Sequence, residues 1–179
     1  LFGALSFYDQ AHALGIKPIV GCELYVSAGA SMEDPEARLK GRRDFHLTVL
    51  AMNEQGYRNL LQLVTAAHLK GFHHDHPRVD KALLQKHSAG LAALSGCLSG
   101  EIPHALRQGD AKGAHESALW HRDCFSGRFW LEVMDQGTAV QRDLIPRLLA
   151  LSKASGIPLV ATNNVHYLSR QDAAAHDVF

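Results

Sequence analysis

Four residues whose side chains bind transition metals stand on or beside apolar, strand-like runs. Glu23 ends Ile19-Val20-Gly21-Cys22-Glu23, and His46 opens Phe45-His46-Leu47-Thr48-Val49. Cys97 closes Ala93-Leu94-Ser95-Gly96-Cys97, and His166 closes Leu159-Val160-Ala161-Thr162-Asn163-Asn164-Val165-His166. Carboxylate, imidazole and thiolate are the donors a zinc-type site uses, and strands of one barrel bring residues distant in sequence to one place. The pattern points to a metal-dependent phosphoesterase architecture. Spacing alone does not make it specific; the longer motifs quoted below do.

The elements that must position these side chains are legible as alternating strands and helices. Residues 5–14 read as a helix ending at Gly15, a left-handed terminator. Ile16–Val26 reads as a strand interrupted by Gly21, Ser27–Arg43 as a polar loop, and Phe45–Ala51 as a second strand. Between Glu54 and Leu69, the residues Leu60, Leu61, Leu63, Val64 and Ala67 recur at helical spacing. A loop over Gly71–Asp80, a short helix over Lys81–His87 and a buried strand over Leu91–Leu94 follow. Two helices come next, near Ile102–Gln108 and Ala111–Phe125. Arg128–Val133 reads as a strand, Val140–Ser155 as a helix ending at Gly156, and Ile157–Thr162 as the last strand.

Such alternation argues for a parallel α/β arrangement, and five strands in this order fit part of a barrel better than an antiparallel sandwich. In α/β barrels functional residues collect where strands end. Glu23, Cys97, Asn164 and His166 follow that rule, whereas His46 sits near the start of its run. Either that strand boundary lies elsewhere or His46 reaches the site differently.

Composition narrows the function classes. The 179 residues suffice for one domain burying roughly 70% of its unfolded surface. Acidic and basic residues number 18 each, so the basic excess of a nucleic-acid clamp is absent. Cys22, Cys97 and Cys124 cannot all pair, and no signal peptide or membrane-length apolar run is present. A reduced, cytoplasmic protein without a membrane role is expected. The absence of an initiator Met, and helical patterns cut at both termini, suggest a fragment of a longer protein.

Four stretches carry a resemblance: LFGALSFYDQAHALGIKPIVGCELYV, FHLTVLAMNEQGYRNLLQLV, RVDKALLQKHSAGLAALSGCLSGEIP and IPLVATNNVHYLSRQDAAAHDVF. In order and spacing they resemble the polymerase and histidinol phosphatase (PHP) domain of the bacterial DNA polymerase III alpha subunit. The combination of GCE, FHL, LSGCLSGEIP and VATN-x-VHY is specific to few families. The resemblance implies a distorted, TIM-like (β/α)7 barrel holding a two- or three-metal cluster, with residues 1–179 forming one partial PHP domain. The family's His-x-His pair and Thr-Asp-His-Gly motif are expected before Leu1. The barrel here would therefore lack N-terminal strands and be cut short at its C-terminus.

Carried over position by position, the resemblance makes Glu23, His46, Cys97 and His166 metal ligands. The family's Asn-Asp-x-His motif reads Asn163-Asn164-Val165-His166 in this chain. Asn164 thus offers one neutral oxygen where an aspartate would bring charge and two oxygens able to span metals. Asp135, in Asp135-Gln136-Gly137, stands where many relatives have Asp-His-Gly and is a candidate second-shell or substrate-facing group. The implied cofactors are divalent metal ions, zinc foremost, with manganese or magnesium as alternatives. Metals about 3.5–4 Å apart would activate water and stabilise the leaving oxygen of a phosphodiester.

Plainer readings stand beside these. Cys97 alone reads as a small buried apolar group, His46 equally as a satisfied core histidine, and His166 as the anchor of a turn. Glu23 is costly to bury unpaired, so a ligand or an ion-pair role is expected. His73-His74-Asp75-His76 is metal-like in composition, but it reads as a solvated loop, and Cys22 and Cys124 read as packing residues. Functionally the resemblance implies a domain of a DNA-directed DNA polymerase in DNA replication, with a 3′–5′ exonuclease site weakened by Asn164. Its partners would be DNA, a proofreading exonuclease and a sliding clamp. The alternatives are a non-catalytic scaffold docking that exonuclease, a stand-alone PHP phosphoesterase, or an error-prone alpha-subunit paralogue.

Overall fold

The computed structural model describes residues 1–28, 31–34, 43–73 and 75–178. Helix α1 (Ala4–Ala13) precedes strands β1 (Gly21–Ser27) and β2 (Asp44–Ala51), then helix α2 (Glu54–Leu69). The short strands β3 (Phe72–His73) and β4 (His76–Val79) lead into α3 (Lys81–Lys86) and β5 (Leu91–Leu94). Helices α4 (Glu101–Arg107) and α5 (Ala111–Cys124), strand β6 (Phe129–Val133), α6 (Ala139–Ser155) and β7 (Leu159–Ala161) complete the framework. A 3-10 turn over Arg170–Asp172 and the short α7 (Ala173–His176) follow. None of the described helices is long and apolar enough to cross a membrane.

The seven strands form one sheet in the order β3-β4-β1-β2-β5-β6-β7. It is mixed and open, with β3 and β7 as its edges, rather than a closed parallel barrel. β2 is antiparallel to both β1 and β5, while β1–β4, β5–β6 and β6–β7 are parallel pairs. The expectation of uniformly parallel strands fails at β2. No helix lies between β1 and β2 among the described residues, and the two strands pair antiparallel, in register from Gly21 opposite Leu50 to Ser27 opposite Asp44.

Pairing assigns faces in the β1–β2 ladder. Leu24 faces Leu47 on the core side, and Glu23 faces Thr48 and Tyr25 faces His46 on the other. Leu24, Leu47 and Val49 are buried in the main apolar cluster, which also takes in Leu60, Leu63, Phe125 and Phe129. β5 is buried along its whole length, as a central strand covered on both faces requires. On α2 the buried residues Gly56, Asn59, Leu60, Leu63 and Ala67 trace a single helical stripe, turned to β2, β4 and β5. The Asn53 side chain caps its first turn by accepting from the Gly56 N–H at 2.9 Å.

Two expected elements differ. The strand expected over Ile16–Val26 begins only at Gly21 and runs on to Ser27. Pro18 removes a ladder donor, and Ile16 and Ile19 are apolar yet exposed. The loop expected over Gly71–Asp80 contains the β3–β4 hairpin, in which His73 pairs with His76. Its anchor is Arg78, 1% exposed, whose guanidinium reaches the carbonyls of Gly71 and Met32 and lies 3.7 Å from Asp44. A buried arginine gives no apolar signal, so periodicity could not reveal this strand. His74, Phe179 and most of the loop expected over Ser27–Arg43 lie outside the described residues.

Gly56 illustrates how tightly α2 sits. A Cβ there would lie 1.9 Å from the Gly90 carbonyl oxygen. Gly56→Ala is therefore expected to lower stability by about 1–3 kcal/mol, although alanine is the better helix former. Urea denaturation checks this, and an unchanged or raised midpoint would mean that α2 does not approach the Gly90 turn so closely.

Candidate metal centre

The reversed direction of β2 places the start of that strand at the sheet edge where β1 and β5 end. This is how His46, the third residue of β2, joins residues at the ends of other strands, and it resolves the position that set it apart in the sequence. Glu23 is the third residue of β1 rather than its last, and it reaches His46 as a diagonal neighbour on the same face. Cys97 lies in the turn after β5. The His46 N–H donates to the Ser99 carbonyl at 3.1 Å, stitching that turn to β2. Gly96, at φ 81°, makes the approach possible, because a Cβ there would lie 2.6 Å from the His46 carbonyl oxygen.

The three donors meet around one imidazole nitrogen. His46 Nδ1 lies 3.0 Å from Glu23 Oε1 and 3.5 Å from Cys97 Sγ. Ligand atoms of Glu23, His46 and Cys97 all fall within 4.8 Å of one another. Donors on a tetrahedral zinc at ordinary bond lengths sit about 3.2–3.6 Å apart, so these separations suit a shared divalent ion with little movement. Carboxylate, imidazole and thiolate are all donors that zinc accepts.

Electrostatics describe a place that favours positive charge. Hydrogen bonding to Cys97 and then to Glu23 lifts His46 to about 10, against the opposing effect of burial. The hydrogen bond to His46 holds the Glu23 carboxyl below its usual range. Burial pushes the Cys97 thiol up, but hydrogen bonds from His46 and the Ser99 backbone outweigh it and leave the thiol below its ordinary value. The Glu23 carboxylate and the Cys97 sulfur both face the same His46 nitrogen, a set of donors that a metal cation would match.

The other candidates stand apart from this trio. His166 is exposed, with Nδ1 3.1 Å from its own turn's Asn164 carbonyl and its ring against His176. It is near enough for its charge to act on Glu23. Asn164 is exposed three residues beyond β7. Asp135 accepts from the Gly137 N–H at 2.8 Å and lies 3.9 Å from Arg142, engaged in the turn before α6. His76 is not solvated as expected: its ring stacks on Tyr25 at 4.3 Å and lies beside Asp44. Among the described residues no metal-like group forms around it. Cys124 is buried in the core, where burial lifts its thiol to about 11, and Cys22 packs against that core.

Glu132 was missed. It is 5% exposed on β6, accepts from the Thr162 hydroxyl at 2.6 Å, and its Oε2 is buried without a hydrogen-bond partner among the described residues. Burial pushes its carboxyl up, and the Glu23 charge acts in the same direction. The signal was a lone acid inside the apolar run Phe129–Val133.

Comparison with known proteins identifies the family. Residues 1–136 match the PHP domain family. The chain is 44% identical over 179 residues to the DNA polymerase III subunit alpha of Treponema pallidum, covering 99% of this chain and 15% of that protein. It is 39% identical to the Thermus aquaticus protein of the same name, covering 99% of this chain and 14% of the relative. Against the Campylobacter jejuni protein of that name identity is 38%, covering 100% of this chain and 15% of the relative. The chain thus spans about one-seventh of the length of the curated relatives it matches.

If Cys97 is a ligand, Cys97→Ser is expected to weaken divalent-metal binding at least about tenfold, the scale that even the outer partners of ligands command. Competition against a chromogenic chelator measures it. Equal affinity in the variant would remove Cys97 from the donor set.

Proposed function

The chain belongs to the PHP domain family, and on that premise we propose that it is the PHP portion of a bacterial DNA polymerase III alpha subunit, with a metal-dependent phosphodiesterase site. The observation that carries this reading is the convergence of Glu23, His46 and Cys97 around one nitrogen at the edge where strands end. In this reading the open sheet is an arc of the family's distorted (β/α)7 barrel. α1 suits that view, since it buries only Ala11 and leaves Leu5 exposed and, just past its end, Leu14. The parent protein would be a DNA-directed DNA polymerase of the cytoplasm, with DNA, a proofreading exonuclease and a sliding clamp as partners.

Zinc suits the donors best, because a thiolate and an imidazole favour it over magnesium or manganese, which prefer oxygen. When bound, such an ion supplies a Lewis acid and a water of lowered pKa. Glu23 and Cys97 would contribute the negative charge that offsets the cation, and His46 would supply its ring nitrogen as the third donor. The ladder pairing of Tyr25 with His46 fixes that ring against an edge-on aromatic at 5.0 Å. Removal of nucleotides from a DNA 3′ end is the reaction this site would perform.

Asn164 favours a second reading, a non-catalytic scaffold that braces the polymerase and docks a separate exonuclease. An amide supplies neither the charge nor the second oxygen of the carboxylate that the family motif places there. Metal content by elemental analysis and digestion of 3′-labelled single-stranded DNA, both on the full-length protein, separate the two. Asn164→Asp is expected to raise metal affinity at least about tenfold and to increase the nuclease rate. Unchanged metal content and rate would show that Asn164 is not what limits the site.

A further inference from the structure

A cavity of about 360 Å³ opens beside His46, between the start of β2, the turn after β5 and α4. Tyr25 and His46 form one side, and Arg43, His76, His104 and Arg107 contribute the rest of its polar wall. The two guanidiniums are exposed, and no carboxylate lies within ion-pair distance of either among the described residues. Arg107 makes one neutral hydrogen bond, to the Leu98 carbonyl at 3.4 Å. Asp44 lines the same cavity, but its carboxylate is 3% exposed and lies against the buried Arg78 at 3.7 Å and His76 at 3.6 Å, so its charge is compensated from behind.

The wall is otherwise held in place by packing. His76 stacks on Tyr25, with ring planes 15° apart, and the His104 ring lies 5.5 Å from Phe45. Burial, and then the charges of Arg43 and Arg107, keep His104 below its ordinary range, a direct sign that both guanidiniums bear on this space. Two uncompensated guanidiniums on a polar cavity are suited to an anion with several oxygens, because each presents a planar fork of donors.

We propose that Arg43 and Arg107 form a phosphate subsite adjoining the Glu23–His46–Cys97 centre. It would hold either the phosphodiester next to the reacting one in a DNA strand or the phosphate of a small monoester. The proposal rests on the phosphoesterase reading and extends it: the metal centre would act on one phosphate while the arginines fix its neighbour or its leaving portion. His104 lies between the guanidiniums in charge terms and, when neutral, can donate to a phosphate oxygen without adding a cation.

The test uses the full-length protein in two states, stripped by chelation and loaded with zinc, with metal content measured in each. Binding of inorganic phosphate and of a fluorescent single-stranded thymidine tetranucleotide is titrated for the native chain, Arg43→Gln, Arg107→Gln and the double variant. Arg142→Gln, on α6 and away from the cavity, serves as the control. The stripped native chain is expected to bind phosphate, the double variant at least about tenfold more weakly, and the control as well as the native chain. Tetranucleotide binding lost in the same variants assigns the site to a DNA strand. Phosphate binding alone assigns it to a monoester. No phosphate binding by the stripped chain, or binding that needs zinc and ignores both arginines, overturns the subsite. Because metal content is read in parallel, zinc retained while the phosphate arm fails would leave the metal centre standing and remove only this proposal.

Discussion

The direction of β2 is the constraint on which the rest of the site depends. Running antiparallel between β1 and β5, it brings its own beginning to the edge where the neighbouring strands finish. The same register sends Leu24, Leu47 and Val49 into the core and keeps Glu23, Tyr25 and His46 on the opposite face. A slip of one residue would exchange these two sets, burying a carboxylate and an imidazole while exposing leucines. Core packing and donor geometry are thus specified by one set of hydrogen bonds. Folding correctly and assembling the site are the same event.

Charge gives that geometry its chemical direction. Glu23 and Cys97 both face a single ring nitrogen, and their hydrogen bonds raise His46 well above its ordinary value. A carboxylate and a thiol held against one imidazole give the site a donor set suited to a cation. Glu132, buried near the turn that holds Cys97, has its carboxyl raised by burial and by the charge of Glu23. Arg43 and Arg107 are exposed and line one cavity together with His46.

Much of this was legible in the chain because apolar runs report the framework. α2, α5 and α6 fall within a residue or two of the ranges expected from periodicity and caps, and Gly15 at φ 70° follows α1 as expected. Glu23, His46 and Cys97 were identifiable by donor type beside strands, and the family motifs singled them out. Strand direction was not legible, since alternation of strands and helices does not by itself say which neighbours pair antiparallel. The β3–β4 hairpin escaped because Arg78, not an apolar residue, anchors it. Glu132 escaped because it lies inside a strand, where the rule that functional acids sit at strand ends does not point. Arg43 and Arg107 are far apart in sequence, and only the turn after β5 brings them to one cavity.

X-ray absorption at the zinc edge of the metal-loaded, full-length protein tests the central claim most directly. One sulfur at about 2.3 Å, with nitrogen and oxygen donors near 2.0–2.1 Å, is expected if Cys97, His46 and Glu23 share the ion. A first shell of nitrogen and oxygen alone, with no sulfur, would contradict it and place the metal elsewhere in the protein.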